Sequence, residues 1–145
     1  MVMSWGVIQY NGKQYLEKFH QYTAAVALTA LQVLLNQRVV MQGEGDFLLK
    51  DIRAYTSQAT ALNSFRIRLG NSDGTWYTQG GVGGTSDRVI GSLLCGDAQF
   101  PGLVIPYIQF SRTGAITFDI EELANNGANT VNFAFTGSII LPYQS

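Results

Sequence analysis

Charge is what this chain has least of. Only 13% of its 145 residues are Asp, Glu, Lys or Arg, about half the usual share of roughly 25%. Charges keep a free surface in water, so the shortfall has two readings: a partner covers part of the surface, or Ser, Thr, Asn, Gln and Gly build it. Nine basic residues against ten acidic ones give a formal net charge of −1. That argues against nucleic acid as a main partner, because phosphate binding needs clustered Lys and Arg. Only Arg66 and Arg68 sit close together on one strand face, and two solvated strand arginines account for them. Cys95 is the only cysteine, which excludes an internal disulfide and gives no sign of oxidising export. Flanked by Leu93, Leu94 and Gly96, it reads as a small buried thiol. The single histidine, His20, has no cysteine nearby and only Glu17 as a neighbouring carboxylate. A metal site therefore lacks its ligands, and His20 reads as a surface or interface residue. No stretch approaches the roughly 20 apolar residues that span a bilayer; the longest apolar-rich run, Ala24–Leu35, is broken by Thr29 and Gln32. Residues 1–6 place no basic region before an apolar run, so no signal peptide is expected. The expectation is a protein made and kept soluble in a cytoplasm, without membrane or cofactor.

What is present is alternation. Ile116, Phe118 and Ile120 alternate with Thr117, Asp119 and Glu121; Val131, Phe133, Phe135, Ile139 and Leu141 share a face opposite Asn132, Thr136 and Ser138. Period 2 means half-buried strands, and an Asn126-Gly127 turn signal lies between the two runs. Upstream, Arg38–Gln42, Phe47–Tyr55 and Phe65–Leu69 read as strands, with Asn71–Gly74 as a hairpin turn and Thr75–Thr78 as its return strand. Pro101 and Pro106 exclude a central strand position for Phe100–Phe110 but allow an edge. A chain this long is most simply one domain, and burying roughly 68–70% of its unfolded surface gives it a core without staples. The pattern predicts an all-β antiparallel sandwich, jelly-roll-like, over residues 23–145. Residues 1–22 form an irregular arm, or a hairpin closed by Asn11-Gly12. Ala24–Leu35 is ambiguous: Ala24, Ala27, Leu28, Leu31 and Leu35 keep helical spacing, but no N-cap precedes them.

Reaction centres are not evident, and no catalytic or metal-binding residue is assigned. Asp119 and Glu121 share a strand face near Glu122; they suit a cation or an acid–base pair, or simply a solvated face with an arginine partner. No Gly-x-Ser-x-Gly elbow is present. Gly80–Gly84 lacks the Gly-Lys-Ser/Thr ending of a phosphate loop and reads as a surface loop. Trp76 and Tyr77 form a candidate aromatic platform for a sugar.

Several segments together resemble small virion structural proteins of tailed bacteriophages, the capsid cement or decoration type. They are Gly45–Ala54, Phe65–Leu69 with Asp73–Tyr77, Phe100-Pro101, Pro106 leading to Gly114–Ile120, and Asn129–Gly137, in order across about two-thirds of the chain. The resemblance is to a pattern rather than to a diagnostic signature. It implies a non-enzymatic antiparallel sandwich, homotrimeric, on the capsid exterior where capsomers of the major capsid protein meet. It also implies strand for Ala24–Leu35. Trp5, Ile8, Tyr10, Tyr15, Phe19 and Tyr22 of the N-terminal segment match no motif of these proteins and are the expected capsid or subunit contacts. Deleting residues 1–22 is then expected to leave a folded domain that no longer decorates shells. The alternative is a tail, fibre or glycan-binding virion module using Trp76 and Tyr77.

Overall fold

The structure is a computed structural model, and it describes residues 5–57, 65–78, 88–96, 102–123 and 129–143. Among the described residues, nine strands and one short helix follow in order: β1 (Gly6–Tyr10), β2 (Lys13–Leu28), β3 (Val33–Val40), β4 (Asp46–Thr56), β5 (Phe65–Asn71), β6 (Val89–Ile90), α1 (Gly91–Cys95), β7 (Gly102–Phe110), β8 (Ala115–Glu122) and β9 (Asn129–Pro142). They form two antiparallel sheets, β1-β2-β9-β4-β7 and β3-β8-β5-β6. The expected all-β sandwich is the observed fold.

The two alternating runs that define β8 and β9 place one central strand in each sheet. Phe118 and Ile120 on β8 face Phe133 and Phe135 on β9, all 2% exposed or less. Phe133 meets Phe65 of β5 edge-on, centroids 5.8 Å apart at 89°, and Phe118 at 5.4 Å. These rings close the layers on each other, since edge-to-face contact is favoured by the ring quadrupole. Phe47, Leu49 and Ile52 of β4, with Tyr22, Val26 and Leu28 of β2, complete that core.

Ala24–Leu35 is two strands and a turn. β2 ends at Leu28, Gln32 N–H returns to the Thr29 carbonyl at 3.2 Å, and β3 starts at Val33. Tyr22, Val26 and Leu28 are buried at period 2, so the helical spacing is incidental to a strand that pairs with β9 from Tyr15 to Leu28. The N-terminal segment is a hairpin: Asn11 and Gly12, both at positive φ (51° and 75°), turn β1 back onto β2, the geometry two-residue hairpins require. β2 crosses residues 22 and 23 without a break, and Tyr22 donates no freedom to an arm: it is buried, and its hydroxyl accepts the Gln42 and Gly43 N–H groups at 3.0 and 3.1 Å.

The expected return strand Thr75–Thr78 is reduced to one bridge, Gly70 to Trp76, with Tyr77 N–H bonded to the Leu69 carbonyl. The reason lies next door. Arg66 and Ile67, further along the same edge of β5, pair with β6 instead. β7 is an edge strand of its sheet, consistent with Pro106. Between its Leu49–Ile108 and Asp51–Leu103 pairs, β4 supplies only Lys50 while β7 supplies Val104, Ile105, Pro106 and Tyr107, so that stretch bows away from the sheet. Ala124–Ala128 and Gly80–Gly84, expected as turn and loop, and Phe100-Pro101 lie outside the described residues.

Candidate interaction surface

The five-stranded sheet is strongly curled. Flat, its outer strands β1 and β7 would stand about 19 Å apart, four spacings of roughly 4.8 Å. Yet the Tyr10 hydroxyl at the end of β1 donates to the Tyr107 carbonyl of β7 at 2.9 Å. The sheet is a half-barrel. Its hollow, on the side away from the main core, is filled by Leu48 and Ile140, buried yet absent from that core. Over them Lys50 reaches Glu17 at 2.7 Å and approaches the Tyr107 ring at 5.4 Å. Burial pushes the Glu17 carboxyl up, but Lys50 and Ser138 donate to it, and the balance lies below its ordinary value. This ion pair spans β2 and β4 across β9 and holds the curl.

On the outside of the four-stranded sheet the sparse charges are already engaged. Glu121 meets Arg88 at 3.3 Å and Arg66 at 3.7 Å. Asp119, 6% exposed, accepts the Asn36 N–H at 2.8 Å and stands opposite Arg68 in the ladder. The guanidinium of Arg68 lies 3.9 Å from the centre of the Trp76 ring. Each carboxylate thus has a structural partner, which favours the arginine-partner reading of the pair over general acid–base work. Glu122 turns inward, accepting from Asn129 at 2.7 Å. Trp76 has a ring face covered by arginine, so the two-residue platform is not available as one surface; Tyr77 is separate, with its ring against Phe110 and its hydroxyl accepting from Asn71 at 3.1 Å.

The six N-terminal candidates scatter. Trp5 packs against the core beneath Lys18, whose ammonium lies 4.8 Å from its ring centre. Ile8, Tyr10 and Tyr15 are half-buried in the hairpin, and Tyr22 is core. Only Phe19 is free, at 57% exposure. His20 is half-buried, edge-on to Tyr22 at 4.6 Å, and burial, then Lys18, lowers its pKa. Burial alone drives the Cys95 thiol up to about 12, which leaves it protonated and unreactive. Among the described residues no three His, Cys, Asp or Glu side chains come together as a metal site, and no helix is long and apolar enough to cross a membrane.

Exposed apolar side chains also gather along β7, α1 and β3. Leu103 and Ile105 of β7 and Leu93 of α1 are 69%, 80% and 79% exposed. With Tyr10, Tyr77 and Tyr107 they line a cleft of about 690 Å³, and among the described residues no charged side chain lines it. Leu31, Val33 and Leu35 form a second exposed group at β3. A signal for both existed in the sequence: β7 contains no charged residue and β3 only Arg38, whereas exposed edges are usually protected by charge. Compared with known proteins, the chain matches no family model, no curated protein and no solved structure.

Proposed function

We propose that this chain is a non-enzymatic structural protein of a tailed-phage virion, a capsid cement or decoration protein. In this reading it binds the exterior of the major capsid shell between capsomers, as a homotrimer, and stabilises that shell. One observation supports the assembly part of the reading: the carboxylates Glu17, Asp119 and Glu121 are held by partners within the chain, while large apolar side chains stand exposed along β3, β7 and α1. A catalytic site needs the reverse, poised polar groups in a cleft. An assembly protein needs apolar surface at fixed positions on a stiff body, and many weak contacts on a shell act together through avidity. The phage assignment rests on the sequence resemblance alone. A glycan-binding module on a tail or fibre draws less support, because Arg68 covers Trp76.

The test is direct. Shells assembled from the major capsid protein of the phage that encodes the chain are mixed with the purified protein, pelleted, and imaged by electron microscopy. Added density at a fixed stoichiometry between capsomers supports the reading. Shells that stay bare at saturating protein overturn it.

A further inference from the structure

We infer that the open end of the half-barrel hollow, around Arg53 and Tyr55 of β4, is a binding site for a sugar that bears a carboxylate. The site is separate from Trp76 and Tyr77, and it goes beyond the proposed function.

Strand register builds the site. Thr23 of β2 and Arg53 of β4 both pair with Ala134 of β9, and Ala25 and Tyr55 both pair with Asn132. Two rows of three side chains therefore cross β2, β9 and β4 on one face. That face lies away from the main core, to which the alternate residues Val26, Ile52, Val131 and Phe133 belong. At strand and residue spacings of roughly 4.8 and 3.4 Å, the rows cover about 10 by 7 Å. Neither outer strand reaches them, since β1 pairs with β2 only as far as Glu17 and β7 with β4 only as far as Ile52. The six residues line a groove of about 510 Å³, a volume typical of small-molecule sites. Ala25 and Ala134 are poor strand formers; here they leave room beside the long side chains of Arg53 and Tyr55. Among the described residues, the side chains of Thr23, Arg53, Tyr55 and Asn132 have no partner within the chain, whereas Lys50, Arg66 and Arg88 hold carboxylates. Tyr55 stands 71% exposed.

Chemistry selects the ligand. No carboxylate lines the groove among the described residues, so the charge of Arg53 is uncompensated there and suits an anion. A guanidinium fork matches a carboxylate through two parallel hydrogen bonds. Tyr55 offers an aromatic face to the C–H groups of a sugar ring and a hydroxyl at its tip. Asn132 both donates and accepts, as sugar hydroxyls do. One arginine is too little for a nucleic-acid backbone, which takes clustered cations. The patch is also far smaller than the roughly 800 Å² per partner of a stable protein interface. With no carboxylate, histidine or cysteine among these lining residues, the groove is built to bind rather than to react.

The experiment follows amide NMR shifts of the isotope-labelled full chain during titration with trigalacturonate and, separately, with sialyllactose. Methyl-esterified trigalacturonate and lactose serve as their neutral counterparts, and each sugar is taken to about 20 mM, because so small and open a site binds weakly. Saturable shifts at Thr23, Arg53, Tyr55 and Asn132 are expected with at least one acidic sugar, with its neutral counterpart at least about fivefold weaker. The tighter acidic sugar names the source of the carboxylate, uronic or sialic. Arg53→Gln is expected to weaken binding at least about tenfold, through loss of hydrogen bonds from a charged group, and Tyr55→Ala at least about threefold. Both positions are exposed, and far-ultraviolet circular dichroism checks that each variant keeps the native fold. No saturable shift with either acidic sugar, equal binding of the neutral counterparts, or binding unchanged in Arg53→Gln each overturn the inference. Shell decoration is read in a separate assay without sugar, so either reading can fail while the other stands.

Discussion

Replacing Phe133 by alanine tests whether the two sheets close where the rings place the closure. Phe133 is 2% exposed and touches Phe65 and Phe118 of the opposite sheet. Phe→Ala in a packed core costs about 3–5 kcal/mol, from lost transfer energy and the cavity left behind. Two inter-sheet ring contacts, each worth about 0.5–1.5 kcal/mol beyond area, put this site at the upper end, about 4–5 kcal/mol. A domain is typically stable by only about 5–15 kcal/mol, so the variant is close to unfolding at room temperature. At a domain of this size, 1 kcal/mol moves Tm by about 3 °C, which gives a fall of about 12–15 °C. Guanidinium titration at fixed protein concentration supplies the free energy if the m-value holds. Phe133→Leu, which keeps most of the volume, should cost about 1–1.5 kcal/mol. Phe19→Ala, at a site 57% exposed, should stay within about 0.5 kcal/mol of wild type. If Phe133→Ala lands within 1 kcal/mol of Phe19→Ala, by the same scale, the core is not where this fold puts it.

Three further outcomes follow from the same geometry. Both Glu17 and His20 have pKa values lowered by folding, so the unfolded chain binds more protons. Their stabilisation is present above the unfolded values and lost as pH falls, first below about 6.5 for His20 and then below about 4.5 for Glu17; Glu17→Gln should therefore lose its stability deficit on acidification to pH 3, and a deficit independent of pH would refute the ion-pair account. Cys95 should resist iodoacetamide in the native state and react on unfolding in guanidinium; native labelling at the rate of a free thiol would contradict its burial. Gly137→Ala would set a Cβ 1.8 Å from the Leu48 carbonyl oxygen, forcing β9 away from β4 at a cost of about 2–3 kcal/mol or more; a Tm unchanged from wild type would show that the ladder is looser than its register.

The fold was legible because its central strands obey a rule with one cause. β8 and β9 bury one face against another sheet, so their apolar residues must alternate, and Ile116, Phe118, Ile120, Val131, Phe133 and Phe135 do. The rule fails where that cause fails. Ser138 and Ile140 lie on the other face of β9 and are buried too, because the half-barrel folds that face over itself; no local pattern reports a curl made by β1 meeting β7. Ala24–Leu35 is strand as the resemblance implied; its period alone was ambiguous because alanine at positions 24 and 27 counts as apolar in a helical template, while burial in the strand selects Tyr22, Val26 and Leu28. The candidate sites were read from residue type, and type does not disclose partners: Trp76 is under Arg68, and Asp119 holds a backbone bulge. Of the aromatic N-terminal set only Phe19 is largely exposed, and a truncation at residue 22 would remove β1 and most of β2, which pairs with β9, so it is expected to cost stability as well as a contact.

The shortage of charge takes on a different meaning once its distribution is known. Lys18 pairs with Glu44, Lys50 with Glu17, Arg66 and Arg88 with Glu121, and Arg68 lies on Trp76 facing Asp119. Five of the nine basic residues thus serve contacts inside the chain. Exposed ion pairs add little stability one by one, but these sit on the two sheet faces that would otherwise be open to water, where they fix the curl and the bulge. The edges receive almost none: β7 has no charge, and β3 has Arg38 alone. If the low charge only reflected a polar neutral surface, the edges would carry Ser, Thr, Asn and Gln. Instead they carry Leu31, Val33, Leu35, Leu103 and Ile105. Among the described residues, charge is concentrated on the sheet faces and sparse along β3 and β7, the distribution that the proposed assembly role calls for.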